Sequence, residues 1–246
     1  MCLAWVGEAR SADAPSPTVH VADGTLDGRH LKAYDNVWAV TVRYGDGRID
    51  ERGLSSDHVR FRTIDGKRYL TRVEGTTSVV GQPGAAASAE FSMTFNVFDP
   101  YTMAPRSGAE VSSGNEELRH EFAGRQVSTT RRPAGSGGER KTTVELTEPV
   151  YDLNGGMTGL LLAALPLKIG YRAVLPVLGD NGFDTTEIRV IREERIRAGH
   201  LGSRDTFVIE IGPAPARSVY WISKQSPYVI KAEVRAPGLI ASWDML

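Results

Sequence analysis

A long apolar segment past the middle of the chain, Met157–Leu178, constrains the fold more than any other stretch of the sequence. Its first part, Met157–Leu165, consists mainly of good helix formers with hardly a polar side chain, and Pro166 follows it directly. A helix that is apolar around its whole circumference must bury most of its surface. Because the rest of the chain shows the alternation of strands, we expect a sheet to cover this helix.

The same segment is too interrupted to cross a membrane as a helix. Between Leu160 and Leu178 lie two prolines, one glycine and the charged residues Lys168 and Arg172, which a spanning helix tolerates poorly. The formal net charge of −1 and the scattered basic residues give no electrostatic case for nucleic acid or an anionic membrane surface. We therefore expect a chain that does not span a membrane and does not bind nucleic acid.

The cysteine and histidine content of the sequence, and the spacing of these residues, do not match a common metal-binding or catalytic motif. Cys2 is the only cysteine, which excludes a disulfide framework and a structural zinc site. The five histidines are all more than four residues apart, so a short-spaced metal pair is absent. The sequence contains no GxSxG nucleophile motif. We accordingly predict no catalytic residue, no metal ligand and no cofactor.

The first 17 residues have the character of a leader. A short apolar start precedes Ala12-Asp13-Ala14, which fits a small-residue cleavage site, and Pro15-Ser16-Pro17 would begin a mature protein. A basic n-region is missing and the apolar part is short, so residues 1–17 are either a signal-peptide remnant or a disordered leader. We favour export, which predicts a periplasmic or secreted bacterial protein whose residues 18–246 form a single domain.

Period-two alternation of apolar and polar residues recurs along residues 18–246. The clearest late strand signals are Tyr171–Leu178, Thr186–Ile196, Thr206–Ile211, Ser218–Ser223 and Tyr228–Arg235. About a dozen strands joined mainly by hairpins predict a mainly β fold. We expect a large curved antiparallel sheet, or half-open barrel, with one short buried helix. Residues 131–141 are predicted to be a flexible stretch, either a long hairpin loop or a joint between two halves.

The strongest hairpin signal is Asp65-Gly66, which separates Val59–Ile64 from Lys67–Val73. On these two strands the apolar residues are predicted to point inward and the arginines outward. The predicted inward residues are Val59, Phe61, Tyr69 and Val73. The predicted outward residues are Arg60, Arg62, Arg68 and Arg72.

Two stretches resemble a family of uncharacterised exported bacterial proteins of the DUF3108 type. One is Asn96–Pro105 (NVFDPYTMAP), and the other joins Tyr151-Asp152-Leu153 to the apolar helix and the LPLKIG segment that ends at Gly170. The resemblance covers chiefly residues 90–236, and its motifs are structural. It implies a curved antiparallel barrel related in shape to the periplasmic lipoprotein carriers LolA and LolB, which hold acyl chains inside a half-open barrel. It carries over no catalytic residue.

This architecture predicts an apolar ligand, a lipid or an acyl chain, held between the sheet and the 157–165 helix. The predicted ligand-binding residues are inward aromatics, helix leucines and two rim cations for an anionic headgroup, namely Trp38, Phe91, Phe95, Leu161, Leu165, Lys168, Arg172 and Trp221. The hypothesis is an exported, non-enzymatic carrier whose protein partner, if any, is not identified by the sequence. Two alternatives stay open: a β-barrel hydrolase or isomerase with a cavity carboxylate or histidine, and an envelope assembly protein without a ligand.

Overall fold

The computed structural model describes residues 16–80, 88–113, 117–135, 137–153, 157–179, 182–213 and 215–246. Within them the chain forms one antiparallel sheet of fourteen strands. The strands of the first half are β1 (Tyr34–Tyr44), β2 (Ile49–Ile64), β3 (Lys67–Val80), β4 (Ser88–Phe98), β5 (Pro105–Ser112), β6 (Glu117–Ala123), β7 (Gln126–Arg132) and β8 (Arg140–Glu145). The helix α1 (Met157–Ala163) follows. The remaining strands are β9 (Arg172–Gly179), β10 (Gly182–Arg197), β11 (Ser203–Ile211), β12 (Arg217–Ser223), β13 (Val229–Ala236) and β14 (Leu239–Met245).

The strands lie side by side almost in chain order. The sheet runs β8-β7-β6-β5-β4-β3-β2-β1-β14-β13-β12-β11-β10-β9. Neighbouring strands are consecutive in the chain except at β1 and β14, which pair from Trp38 opposite Met245 to Tyr44 opposite Leu239. The strands β8 and β9 are the two edges, so the described sheet is not closed into a barrel. The prediction of a large antiparallel sheet with one short buried helix is confirmed.

The helix α1 lies in the connection that carries the chain from one sheet edge, β8, to the other, β9. All seven of its residues are buried, and it packs against β12 and β13. We call the face of the sheet that carries this helix and the main core the concave face, and the opposite face the convex face. The predicted burial of the apolar helix is confirmed, although the helix ends at Ala163 and not at Leu165.

The outer edge of β9 is covered by two pieces of backbone. The Val174 N–H donates to the Pro17 carbonyl and the Val174 carbonyl accepts from the Val19 N–H, both at 2.9 Å. Further along the strand, the Leu178 N–H donates to the Tyr151 carbonyl at 3.1 Å. An edge that is hydrogen-bonded in this way offers little to a foreign strand. At the other edge, all six residues of β8 are exposed.

Two predictions about connections have different outcomes. The stretch 131–141 overlaps the ends of β7 and β8, which pair with each other from Gln126 opposite Glu145 onward. It is therefore a hairpin connection and not a joint between two halves. The leader prediction concerns residues 1–17, of which residues 1–15 lie outside the described residues, so it stays a prediction.

The register of β2 and β3 overturns the predicted orientation of the hairpin side chains. The two-residue turn places Ile64 opposite Lys67, and this register places Val59 opposite Arg72. Directly opposed residues of an antiparallel pair share one face, so Arg72 lies beside the fully buried Val59 on the concave face. The prediction that Arg72 points outward is wrong. By the same register, Tyr69 and Val73 lie on the convex face, not inside.

Candidate functional site

A cavity of about 320 Å³ lies on the concave face of the sheet. Two separate groups of strands line it, with β1 and β12–β14 on one side and β3–β5 on the other. Only the bending of the sheet around β2 brings these groups together, because they occupy different parts of the strand order. The cavity therefore depends on the curvature of the whole sheet and not on one hairpin. We refer to it as the concave cavity.

One side of the concave cavity, which we call the aromatic wall, is largely apolar. It consists of Trp38, Tyr220, Val229, Ala232, Val234 and Trp243. The Trp38 ring is fixed because its Nε1–H donates to the Val229 carbonyl at 3.2 Å. Ala232 lies directly opposite Trp243 in the β13–β14 ladder, and its single methyl group leaves space beside the indole. The large rings thus frame the cavity and the small alanine keeps it open.

The other side, which we call the polar wall, carries hydroxyl and charged groups. It consists of Arg72, Glu74, Thr76, Ser92, Thr94 and Glu110. Glu74, Thr94 and Glu110 stand in one row across β3, β4 and β5, because Glu74 lies opposite Thr94 and Thr94 lies opposite Glu110. Two carboxylates therefore flank one threonine on the same face of the sheet.

Arg72 of the polar wall forms a buried ion pair with Asp57, which lies on the neighbouring strand β2. Arg72 is only 2% exposed; its Nε lies 2.8 Å from Asp57 Oδ1, and its Nη1 lies 3.1 Å from Glu74 Oε2. Burial alone would lower the pKa of Arg72, but the carboxylates of Asp57 and Glu74 outweigh it and raise that pKa above its ordinary value. The Tyr34 hydroxyl donates to Asp57 Oδ2 at 2.9 Å, and burial next to this carboxylate raises the Tyr34 pKa. The guanidinium of Arg72 is thus charged and already engaged by protein carboxylates.

The two carboxylates of the polar wall differ in their surroundings. Glu74 accepts from the Ser55 hydroxyl at 3.1 Å and from the Thr94 hydroxyl at 3.4 Å, in addition to its contact with Arg72. Glu110 is half-buried and lines the same cavity, but its carboxylate makes no hydrogen bond or ion pair with the described residues. It is the charged group of the wall that remains open to a ligand.

The predicted roles of Phe91 and Phe95 in lining an interior site are not supported by their positions. Phe91 is 49% exposed and Phe95 is 39% exposed. Phe95 lies opposite Val73, so both phenylalanines belong to the convex face, while their polar neighbours Ser92 and Thr94 line the concave cavity. The inward orientation predicted for these phenylalanines is wrong, because alternation separates two faces without saying which face is inside.

Trp221 is buried, but on the other side of the sheet from the cavity. It forms a small convex cluster with Val208 and Val219. Its Nε1–H donates to Glu194 Oε2 at 3.1 Å, and the Lys231 ammonium lies 5.2 Å from the ring centroid. The prediction that Trp221 points into the interior is therefore wrong, and the cavity is lined instead by the preceding residue, Tyr220.

The helix leucines and rim cations also lie away from the concave cavity. Leu161 and Leu165 are buried in the main core, and neither contributes to the lining of the cavity. Lys168 is exposed in the loop before β9, which begins at Arg172, and neither of these two predicted rim cations lines the cavity. Of the eight predicted ligand-binding residues, the structure places Trp38 in the cavity wall.

The described part of the chain offers no alternative centre built on metal-binding side chains. No group of three or more His, Cys, Asp or Glu residues in it is arranged to hold a metal ion. His120 is a buried histidine whose Nδ1 lies 2.9 Å from the Thr129 hydroxyl; burial, aided by the charge of Arg131, lowers its pKa. Within the same residues, no helix has the length and apolarity needed to cross a membrane.

Several residues of the concave cavity were missed in the sequence, and only some left a usable signal. The two-residue turn at Asp65-Gly66 fixes the β2–β3 register, which would have placed Arg72 and Glu74 on the face of Val59. Glu110 left no such signal, because the β4–β5 register shifts at a bulge between Val97 and Phe98.

Comparison with known proteins gives a family and no assigned activity. The sequence profile of a family described as "Protein of unknown function (DUF3108)" matches residues 41–240. This span contains the whole polar wall and most of the aromatic wall, while Trp38 and Trp243 lie just beyond its two ends. No curated protein and no solved structure gives a significant match to the chain.

Proposed function

The chain belongs to the DUF3108 family of proteins of unknown function, and we propose that it is a non-enzymatic binding or carrier protein for an amphipathic small molecule such as a lipid. The concave cavity holds the apolar part of this ligand. The observation that supports the proposal is the aromatic wall, where Trp38, Tyr220 and Trp243 border about 320 Å³ of space. Small-molecule sites are typically concave and lined by apolar and aromatic groups with a few polar ones. Burial of the ligand contributes about 0.8 kcal/mol per methylene.

The location of the protein is part of the same proposal. The leader-like pattern of residues 1–17 supports export to the periplasm or the medium. An open curved sheet with a helix on its concave face supports an analogy of shape with the lipoprotein carriers LolA and LolB. In our proposal the helix does not contact the ligand directly. It packs against the aromatic wall on the same face of the sheet, since Gly159 lies against Val229.

Blocking the concave cavity tests the proposal. Ala232→Trp places an indole beside Trp243 and fills the space that the alanine leaves open. We expect the wild-type protein to bind octanol, a neutral apolar probe, and the variant to lose at least about tenfold in affinity, which corresponds to about 1.4 kcal/mol. Isothermal titration calorimetry gives the affinity, and native mass spectrometry of the purified protein reports any lipid carried along.

The matched control is Ala109→Trp, which adds the same side chain to the convex face. Ala109 lies opposite the exposed Phe95, so its indole extends away from the cavity. We expect this variant to bind octanol as the wild type does. Equal octanol affinity in Ala232→Trp and Ala109→Trp, with both proteins folded, would contradict the proposal.

Each of the two alternative functions is supported by one observation. The concave cavity is lined by Glu74, Glu110 and Tyr220, which are titratable groups of the kind that a barrel enzyme requires. The convex face exposes Phe91 and Met93, each by 49%, which suits an assembly surface. We favour binding because the aromatic wall borders open space, a feature that an assembly surface does not need.

A further inference from the structure

We infer that the concave cavity selects amphipathic organic cations, with Glu110 contacting the charged end and the aromatic wall enclosing the apolar body. The inference rests on the proposed function, because it uses the same cavity. It reverses the charge that the sequence predicted for the polar end of the ligand. The prediction relied on Lys168 and Arg172 to meet an anionic headgroup, and neither residue lines the cavity.

The charges at the polar wall have a negative sum. The wall itself carries Arg72, Glu74 and Glu110, and Asp57 stands directly behind Arg72 at 2.8 Å. One cation against three carboxylates leaves a formal charge of −2 around the cavity. No lysine, histidine or second arginine is among the lining residues. Charges at a partly enclosed site interact more strongly than charges in water, so this excess favours a positively charged guest.

The one cation of the wall is not available to an anionic ligand. Arg72 Nε lies 2.8 Å from Asp57 Oδ1 and Nη1 donates to Glu74 Oε2, and the Arg72 side chain is only 3% exposed. A ligand carboxylate or phosphate would have to compete with two protein carboxylates that are already in place. It would also approach Glu110, and two like charges at short distance are costly.

Glu110 is positioned to receive a cation. It shares its row with Glu74, but Glu74 is engaged by Ser55, Thr94 and Arg72, whereas Glu110 has no such partner among the described residues. The cavity that Glu110 lines is bordered on its other side by aromatic rings, whose faces attract ammonium groups. A carboxylate together with aromatic rings is a combination that suits an alkylammonium group.

The test uses the full-length protein and three probes with an eight-carbon chain, which in octanoate includes the carboxyl carbon. Octyltrimethylammonium, octanol and octanoate are titrated by calorimetry into the wild type, Glu110→Gln and Glu121→Gln. Glu121 is the matched control. It lies on β6, the strand next to that of Glu110, but its side chain is 72% exposed and forms an ion pair with Lys141 at 3.5 Å. We expect the ammonium probe to bind the wild type about tenfold more tightly than octanoate. Glu110→Gln should remove most of this preference and Glu121→Gln should leave it.

The outcomes separate the inference from the proposed function. Octanoate binding as tightly as the ammonium probe would overturn the inference, while octanol binding that Ala232→Trp abolishes would leave the proposed function standing. A preference for the ammonium probe that persists unchanged in Glu110→Gln would overturn the role given to Glu110. If none of the three probes binds the folded wild type, the proposed function fails and the inference fails with it.

Discussion

At the scale of single residues, the polar wall depends on the ion pair behind it. Arg72 and Asp57 are both almost fully buried and lie 2.8 Å apart. Removing one member of a buried pair leaves the other charge without a partner, which costs about 3–5 kcal/mol. We predict that Arg72→Met lowers the free energy of unfolding by about this amount in urea denaturation. The exposed pair of Arg60 and Asp35 is the control, and Arg60→Met should cost less than about 1 kcal/mol.

A double variant of Asp57 and Arg72 separates the effect of the buried charge from the effect of lost packing. Asp57→Asn keeps an acceptor for the Tyr34 hydroxyl but removes the buried negative charge. Added to Arg72→Met, it should recover part of the lost stability, because less uncompensated charge remains. Losses of equal size in Arg72→Met and Arg60→Met would contradict a buried, stabilising role for the Arg72 pair.

Residue type alone misassigned Arg72 and correctly assigned Trp38, and the reason is physical. Arginine is rarely buried unless it is paired, so an arginine in an alternating strand is naturally predicted to be solvent-exposed. The partner that reverses this expectation, Asp57, is on the neighbouring strand. Trp38 needed no such partner for its prediction, since burying its large ring is favourable wherever the strand places it. Buried charges are therefore predictable only once the strand register is known.

At the scale of elements, the close contact between α1 and β13 leads us to predict that a substitution favoured by helix propensity destabilises the protein. Alanine usually stabilises a helix interior relative to glycine by about 1 kcal/mol. At Gly159, however, an added Cβ would lie 2.3 Å from Val229 Cγ2, and the β-branched Val229 has little rotamer freedom. We predict that Gly159→Ala lowers the free energy of unfolding by about 1–3 kcal/mol in urea denaturation.

The same contact supplies its own control. Val229→Ala removes the methyl group that the new Cβ would meet, so adding it to Gly159→Ala should cost less than the sum of the two single changes. Additive losses, or a stabilised Gly159→Ala variant, would show that the helix and β13 are not in close contact at this point.

Which strands and helix exist was predictable, but which face they turn inward was not. Alternation located β4 and its two faces, yet the concave face receives Ser92 and Thr94 while Phe91 and Phe95 are exposed. Sequence reasoning assigns aromatic residues to the inside because interiors are usually apolar cores. In this part of the sheet the inside borders an open cavity, where polar side chains contact space that water or a ligand fills.

At the scale of the whole molecule, the concave cavity joins parts of the chain that are far apart in sequence. Its polar wall comes from β3–β5, whereas its aromatic wall combines β1 with β12–β14. The pairing of β1 with β14 connects these regions. Hairpin signals are local and do not reveal such a pairing, so the site could not be assembled from the sequence even though most of its strands were found.

Because the sheet is open, its edge strand β9 must be covered by other parts of the chain. Hydrogen exchange of the β9 amides measures this covering. The Val174 N–H is bonded to the segment at Pro17, whereas the Leu178 N–H is bonded to Tyr151. We predict that removing residues 1–20 speeds hydrogen exchange of the Val174 amide at least about tenfold and leaves the Leu178 amide protected, since each depends on its own covering segment. NMR-detected exchange resolves the two amides, and removing only residues 1–15 is the control that should change neither. A newly exposed edge should also promote strand-mediated association of the truncated protein. Unchanged protection of the Val174 amide in the longer truncation would mean that the N-terminal segment does not cover this edge.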